Sequence, residues 1–394
     1  MRELDIIGRK KELFLNDLAT FDSAICDIVR ESKFLVIGGG GTIGQAVVKE
    51  IFKRNAKCLH VVDLNESYLA ELVRDIRSSF GYETVNFDTF ALDCGTENFQ
   101  KFLKSGRYDY VLNLSAMKHV RSEHSPYSMD RMIESNILNV LRTYESSLNS
   151  GVKKYFCVST DKASNPANFM GATKRAMELC LMTKSNAIPI SGARFANVAF
   201  SNGSLLESFR NRVQKLQPLS TPNDVRRYFI TPKEAGIICI FSTILGGDNE
   251  IFFPNNFSEI KLTNFSEIAK KYLQSIGKTM VECGSEDQAR SLMTQLDLER
   301  FWPVNLFKTD TTGEKQFEEF YTQDEQVKSG KFNEIACVQL TPNKSKEEID
   351  SFLELVSSVD PAQTDSRSVY LNIFKNFIPS FSHVETQKFL NSRM

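Results

Sequence analysis

From Lys33 onward the chain alternates short apolar runs with longer stretches whose apolar residues recur at helical spacing. "KFLVIGG" (33–39) is a strand-like run closed by glycines, and "TIGQAVVKEIFKRN" (42–55) carries a helical apolar stripe. The rhythm continues through a strand at "CLHVVD" (58–63), a helix at "ESYLAELVRDIRSSF" (66–80), a strand at "VNFDTFALD" (85–93) and a helix near 96–104. "YDYVLNLS" (108–115), a long helix around 126–150, "KYFCVST" (154–160), a helix over 168–184 and "IPISGARF" (188–195) complete it. Strands separated by helices of ten or more residues do not pair as hairpins. The order therefore predicts a parallel, doubly wound sheet of the α/β class.

Two regions depart from this rhythm. Residues 1–32 read as a charged helical extension. After about Ala199 the alternation stops, and "RRYFITPKEAGIICIFSTIL" (226–245), "EIFFP" (250–254) and "TNFSEIAKKYLQSIG" (263–277) read as a smaller mixed α/β cap. The tail from about 283 is polar, with helices expected at "SKEEIDSFLELVSS" (345–358) and near 367–377. The expected division is 1–32, 33–199 and 200–394, with strand exchange allowed between the last two.

Composition narrows the function classes. A chain of 394 residues can bury one large domain and a smaller one. Its formal net charge of −1 argues against a nucleic-acid surface or a polybasic membrane patch. The N-terminal "MRELDIIGRKKELFLNDLATF" holds no apolar run of signal-peptide type, and no stretch of about 18 apolar residues occurs, so a soluble cytoplasmic protein is expected. The eight cysteines (Cys26, Cys58, Cys94, Cys157, Cys180, Cys239, Cys283, Cys337) form no C-x-x-C pair and the four histidines no ligand spacing. Reduced thiols and no metal are expected.

The segment "VIGGGGTIGQAVV" places Gly38, Gly41 and Gly44 at G-x-x-G-x-x-G spacing between a strand and a helix. Glycines there permit a tight turn and let backbone approach a pyrophosphate at the helix N-terminus. Asp63 ends the next strand, 19 residues after Gly44, where a carboxylate holds both ribose hydroxyls of NAD. Asp93 ends the third strand and Asn113–Ala116 the fourth, the positions of cofactor-lining turns in this fold. Asp63 favours NAD because a carboxylate repels a 2′-phosphate; a nearby lysine or arginine could still admit NADP.

These residues resemble the extended short-chain dehydrogenase/reductase superfamily and, within it, the nucleotide-sugar 4,6-dehydratases acting on UDP-N-acetylglucosamine. The resemblance runs from about Phe34 to Leu273 through "GGGGTIG", "NLSAMKHV", "ESNILNV", "STDKASNPANFMGATKRAMEL", "RFANVAFSNGS" and "RRYFITPKEAG". The segment "TDTTGEKQFEEFYT" (309–322) is similar to a subgroup of these enzymes, for which a GDP-sugar version also exists. The resemblance implies a Rossmann domain binding NAD or NADP over 33–199 and a substrate-binding region over 200–394. It further implies a nucleotide-sugar partner and a homo-oligomer, dimer or higher. The implied cofactor-binding set is Gly38, Gly41, Thr42, Ile43, Gly44, Asp63, Asn65, Asp93, Ser115, Ala116, Lys118, Asn136 and Lys174. Substrate contacts fall on Lys118, His119, Asn197 and Arg227, although the family more often has glycine where Ala196 stands.

The implied reaction is redox-neutral overall. Hydride leaves sugar C4, water is lost across C5 and C6, and hydride returns to C6. By resemblance Lys162 is the C5 base and Asp161 the acid at O6, both following "KYFCVST". A free lysine titrates near ~10.4, so Lys162 needs burial or a cationic neighbour to act as a base. If both side chains reach the sugar, the backbone must leave the strand at that point, because successive strand residues face opposite ways. Lys174 is implied to bond the nicotinamide ribose. Four residues earlier the superfamily usually has a tyrosine, and here stands Met170, which takes no proton; a subset of these dehydratases shares it. Asp161 is then the candidate for the O4 proton, through Thr160 or a water, with Thr160 positioning only. The competing readings are the same reaction on a GDP-sugar, a 4-epimerase, which relies on the tyrosine, and a non-catalytic NAD(P)-binding sensor.

Overall fold

The computed structural model describes residues 3–385, apart from 83–84, 185–186, 256–259, 311–312, 314, 316–317, 342 and 384. Within the 309–322 stretch singled out above, residues 311, 312, 314, 316 and 317 thus lie outside the described residues. One nine-stranded sheet dominates, formed by β1 (Lys33–Ile37), β2 (Cys58–Asp63), β3 (Asn86–Ala91), β4 (Tyr110–Asn113), β5 (Lys154–Thr160), β6 (Ile190–Phe195), β7 (Glu250–Pro254), β8 (Gln326–Lys328) and β9 (Ile335–Gln339). Their spatial order is β8-β9-β7-β6-β5-β4-β1-β2-β3. The seven strands from β3 to β7 run parallel, and β9 and β8 close the edge antiparallel. β1 is buried from Phe34 to Ile37 and β5 from Lys154 to Ser159, as strands covered on both faces must be. The chain order reverses between β1 and β4, and a crevice at such a reversal, outside the strand C-termini, is where open α/β sheets bind ligands.

The core is apportioned differently from a cut after residue 199. The Pro232–Leu245 helix packs on the Thr42–Phe52 helix and on β5, β6 and β7, within the main sheet domain rather than in a cap. Its run "GIICIFSTIL" is apolar on all sides, which requires burial all round. "EIFFP" is likewise a fully covered parallel strand, β7. The Lys346–Ser358 and Ser366–Phe377 helices also join the large core, through Phe352, Tyr370 and Phe374. A second core holds Leu206, Phe209, Phe229, Ile268, Trp302 and Val304 around a three-stranded parallel sheet of Leu219–Pro222, Phe301–Phe307 and Thr279–Cys283.

The N-terminal extension ties both cores together. Leu4, Ile6 and Ile7 belong to the smaller core, whereas Phe14, Ile25 and Val29 belong to the larger. Between them Arg9 is buried, pairing with Glu234 and donating to the Phe229 carbonyl at 3.1 Å. Asp17, fully buried near the start of the Leu15–Arg30 helix, accepts from the backbone N–H groups of Asn333, Glu334 and Ile335 at 2.7, 2.7 and 3.2 Å. Asp17→Ala would leave two of those donors, the Glu334 and Ile335 N–H groups, buried with no acceptor. A loss of about 3 kcal/mol is expected, read as a lower urea midpoint at unchanged slope; a midpoint within error of wild type would refute this anchoring role.

Candidate active site

The loop after β1 is built for close backbone approach. Gly38 has φ +76°, and an added Cβ would lie 2.6 Å from the Ser115 nitrogen, so the turns after β1 and β4 touch. A Cβ on Gly44 would collide with the Gly38 carbonyl, whereas one on Gly41 would meet nothing nearer than 3.6 Å. Gly41 therefore presents the open side of the loop at the N-cap of the Thr42–Phe52 helix. Thr42 Oγ1 accepts from the Asn202 N–H at 2.9 Å, and Ile43 packs on the large core.

Asp63 accepts from the Gly40 and Asn65 N–H groups at 2.9 Å each, one per carboxylate oxygen. Each oxygen keeps a lone pair for a further donor. Asn65 caps the Glu66–Phe80 helix through the Tyr68 N–H. Asp93 folds its own turn by accepting from Gly95, and Leu92 donates to the Asp63 carbonyl, which brings the ends of β2 and β3 together. Ser115 is held by Asn113, and Ala116 is exposed. A helix N-terminus, a glycine cradle and a partly exposed carboxylate at the end of β2 fit a dinucleotide.

Asn136 acts one layer behind this cradle. It is fully buried, its amide bonds both backbone groups of Met117 at 2.9 Å, and it donates to Thr173 Oγ1 at 3.0 Å. With its bonding used on protein groups, it holds the loop after β4 against the Phe169–Met182 helix instead of facing a cofactor. It lies in a π-helical turn, Glu134–Leu138, inside the long helix.

β5 ends at Thr160, and Asp161–Ala163 forms a 3-10 turn capped by the Thr160 hydroxyl. The backbone leaves the strand there, so Asp161 and Lys162 converge. Thr160 Oγ1 and Lys162 Nζ both donate to Asp161 Oδ1, at 2.9 and 3.0 Å. Lys162 Nζ also reaches Asn197 Oδ1 at 3.4 Å.

A residue not foreseen from the sequence completes the cluster. Glu318 is buried, with Oε1 4.0 Å from both Lys162 Nζ and Arg227 Nη2. Its Oε2 accepts no hydrogen bond among the described residues. Burial pushes the Glu318 pKa up and Asp161 adds to this, against the opposing pull of Lys162, Arg227 and Lys315. For Lys162, burial opposes the charge, but Asp161 and Glu318 outweigh it together with the cation Arg227, and its pKa stands above the ordinary lysine value. The expected depression is thus reversed: two carboxylates outweigh one arginine.

Met170 and Lys174 lie buried on the Phe169–Met182 helix. Lys174 Nζ donates to the Val158 carbonyl at 3.1 Å, and burial lowers its pKa to about 8. Lys118 and His119 stand outside the Asp161 cluster. Both remain open to solvent, the His119 ring lies against Gly203, and desolvation lowers both pKa values. A cleft of about 620 Å³ opens beside the cluster, lined by Asn165, Tyr228 and residues 318–324.

A family model described as polysaccharide biosynthesis protein matches residues 34–340. The chain belongs to this family. It is similar to the probable polysaccharide biosynthesis protein EpsC of Bacillus subtilis, at 28% identity over 280 residues, 70% of this chain and 45% of that one. It is similar to a UDP-N-acetylglucosamine 4,6-dehydratase (inverting) of Campylobacter jejuni, at 31% over 169 residues, 40% of this chain and 48% of that one. Proteins named UDP-glucose 4-epimerase are among the lower-identity relatives. The X-ray structure of Pen from Bacillus thuringiensis shares the fold, with a TM-score of 0.64 at 22% identity, covering 81% of this chain and 90% of Pen. Two other fold neighbours were solved with NAD bound. The chain spans about half the length of several curated relatives it matches. Among the described residues no helix is long and apolar enough to cross a membrane.

Lys174 gives a pH-dependent test. Its folded pKa of about 8 lies below that of an unfolded lysine, ~10.4. Between these values the unfolded chain binds more protons, so stability rises with pH across that window and the full penalty applies below it. Lys174→Met should raise Tm at pH 7, by the equivalent of roughly 1–3 kcal/mol. The gain should shrink from pH ~8 to ~10, and melts at matched cofactor saturation that show a constant gain or a loss would contradict a strained amine.

Proposed function

We propose that the chain is a nucleotide-sugar 4,6-dehydratase that uses NAD and acts on UDP-N-acetylglucosamine. The observation that carries this reading is the Thr160–Asp161–Lys162 turn, where a hydroxyl and an ammonium meet on one carboxylate oxygen. Met170, in place of a hydroxyl residue, can exchange no proton. Epimerisation needs one group to take and return the O4 proton. Elimination needs a base for C5 and an acid for O6, and the turn supplies both.

NAD bound at the glycine loop would supply a reversible hydride acceptor. Among the described residues the hydrogen bonds of Asp63 come from backbone N–H groups, and its carboxylate would repel a 2′-phosphate, which favours NAD over NADP. Asp161 takes the O4 proton, and the 2.9 Å Thr160 contact offers a relay. Once C4 is a ketone, C5–H is acidic and Lys162, as an amine, removes its proton. Asp161 then gives its proton to O6 as water leaves, and Lys162 returns a proton to C5. Asn197 and Arg227, in the same cluster, are assigned to the sugar and diphosphate.

Purified protein incubated with UDP-N-acetylglucosamine or its GDP counterpart should yield a product lighter by one water from the UDP-sugar. In deuterated water that product should carry deuterium at C5. An unchanged mass, or a mere change of C4 configuration, would overturn the reading.

Asp161→Asn should impair both C4 oxidation and elimination, with little reduced nicotinamide forming in a single turnover. Accumulation of reduced nicotinamide would instead restrict Asp161 to O6. Met170→Ala should cost packing and binding only; a drop of about 10³-fold in the chemical step at unchanged affinity would refute a passive methionine.

A further inference from the structure

The surroundings of Lys162 pose a proton-counting problem for the dehydratase reading, on which the following rests. Among the described residues its Nζ faces three acceptors: Asp161 Oδ1 at 3.0 Å, Asn197 Oδ1 at 3.4 Å and Glu318 Oε1 at 4.0 Å. Three acceptors suit an ammonium, whereas abstraction at C5 needs an amine. Two protons must therefore be stored before C5–H breaks, the one from O4 and one from Lys162. Asp161 can hold one of them, so a second acceptor is required.

Glu318 has the geometry for it. The side chain is 4% exposed, and its Oε2 is buried without a hydrogen bond among the described residues. Such an atom is costly as part of a carboxylate and less so once the group is neutral. The charged groups that face it are Lys162, Asp161, Arg227 and Lys315. Described neighbours before and after it are held in place. Lys315 Nζ bonds the Asn165 carbonyl, Asn165 donates to Glu319 at 2.8 Å, and Arg194 holds the Phe320 carbonyl at 2.8 Å. Rotation of either flexible side chain, or one water, closes the 4.0 Å gap to Lys162.

We propose that Glu318 is a positioning residue for the proton: it accepts one from Lys162, so that Lys162 meets C5 as a neutral amine. In this step a Lys162 N–H bond breaks, its electron pair stays on nitrogen, and an O–H bond forms on Glu318. The Lys162 amine then takes the C5 proton while the C–H electron pair forms the C5–C6 double bond and O6 departs with the proton from Asp161. After C5 is reprotonated by Lys162, Glu318 returns its proton to the amine. Ion pair and neutral pair carry the same number of protons, so the fraction of amine does not depend on pH while that number holds. With glutamine at 318, Lys162 must lose its proton to solvent, and the amine fraction climbs with pH.

The test is the pH dependence of the elimination step in single turnovers of the full-chain holoenzyme with UDP-N-acetylglucosamine, from pH about 6 to about 9. Wild type should give a nearly flat profile. Glu318→Gln should be slower by ~10²-fold near neutrality and gain about tenfold per pH unit. Glu318→Asp, slower but still titratable, should restore the flat shape. Parallel wild-type and Glu318→Gln profiles, differing by one factor at every pH, would reduce Glu318 to a packing role and overturn the inference. So would a Glu318→Asp profile as steep as that of Glu318→Gln. Dehydrated product from wild type distinguishes those failures from failure of the dehydratase reading; its absence would overturn both.

Discussion

A single arginine with no solvent exposure governs the geometry of the site. Arg194 cannot shed its charge in a protein, so its burial on β6 is tolerable only if every face of the guanidinium is met. Glu178 meets it at 2.9 and 2.7 Å, Glu325 at 2.6 and 2.8 Å, and the Phe320 carbonyl at 2.8 Å. Burial works against the charge on Glu325, yet Arg194 holds its pKa at about 2. Arg194 is level with Ser159 in the sheet, and Ser159 itself donates to Glu178 at 2.6 Å. One cation thereby fixes β5, β6, the Phe169–Met182 helix and the 318–325 segment in a common frame, two residues from Asp161.

Within that frame two lysines on neighbouring elements are driven in opposite directions. Lys174, buried between helix and strand, bonds a carbonyl and a distant thioether, and burial outweighs the pull of Cys157 and Glu178, so it is depressed. Lys162 sits between two carboxylates and is elevated. The same side chain thus provides a group that gives up its charge easily and one that retains it until a partner takes the proton. That difference is set by neighbours and not by residue type.

How much was legible in the sequence follows from how local each signal is. The glycine turn, Asp63 and the ends of β1 to β6 are set within a few residues, and the helices at 346–358 and 366–377 announce themselves by spacing, the first also by its Ser345–Glu348 capping box. The departure of the chain after Thr160 could be read because two functional side chains had to share one side. Glu318 could not be assigned, because "EKQFEEF" carries no local chemistry and Glu318 gains meaning only where Arg194 and Arg175, bonding Phe320 and Glu325, hold residues 318–325 beside Lys162. The placement of 232–254 in a cap differs from the structure for another reason. The run "GIICIFSTIL" did hold a usable signal, since a helix apolar on every side has no solvent face to give a cap. The motif points Asn136 at the cofactor because a motif records that a residue matters and not which neighbour it bonds.

The order in which the sheet is completed also shapes how the molecule forms. β6 gains β7 only after the chain has left for the smaller core and returned, and Asp17 waits for Asn333, 316 residues later. Contacts of such sequence separation carry a high loop-closure cost and slow folding. Until residues 320–339 arrive, the charge of Arg194 lacks Glu325 and the edge of β7 lacks β9. A nascent chain would therefore expose an open strand edge beside a half-paired arginine from the completion of β7 at Pro254 until β9 begins at Ile335. That interval is when it is most exposed to edge-to-edge association.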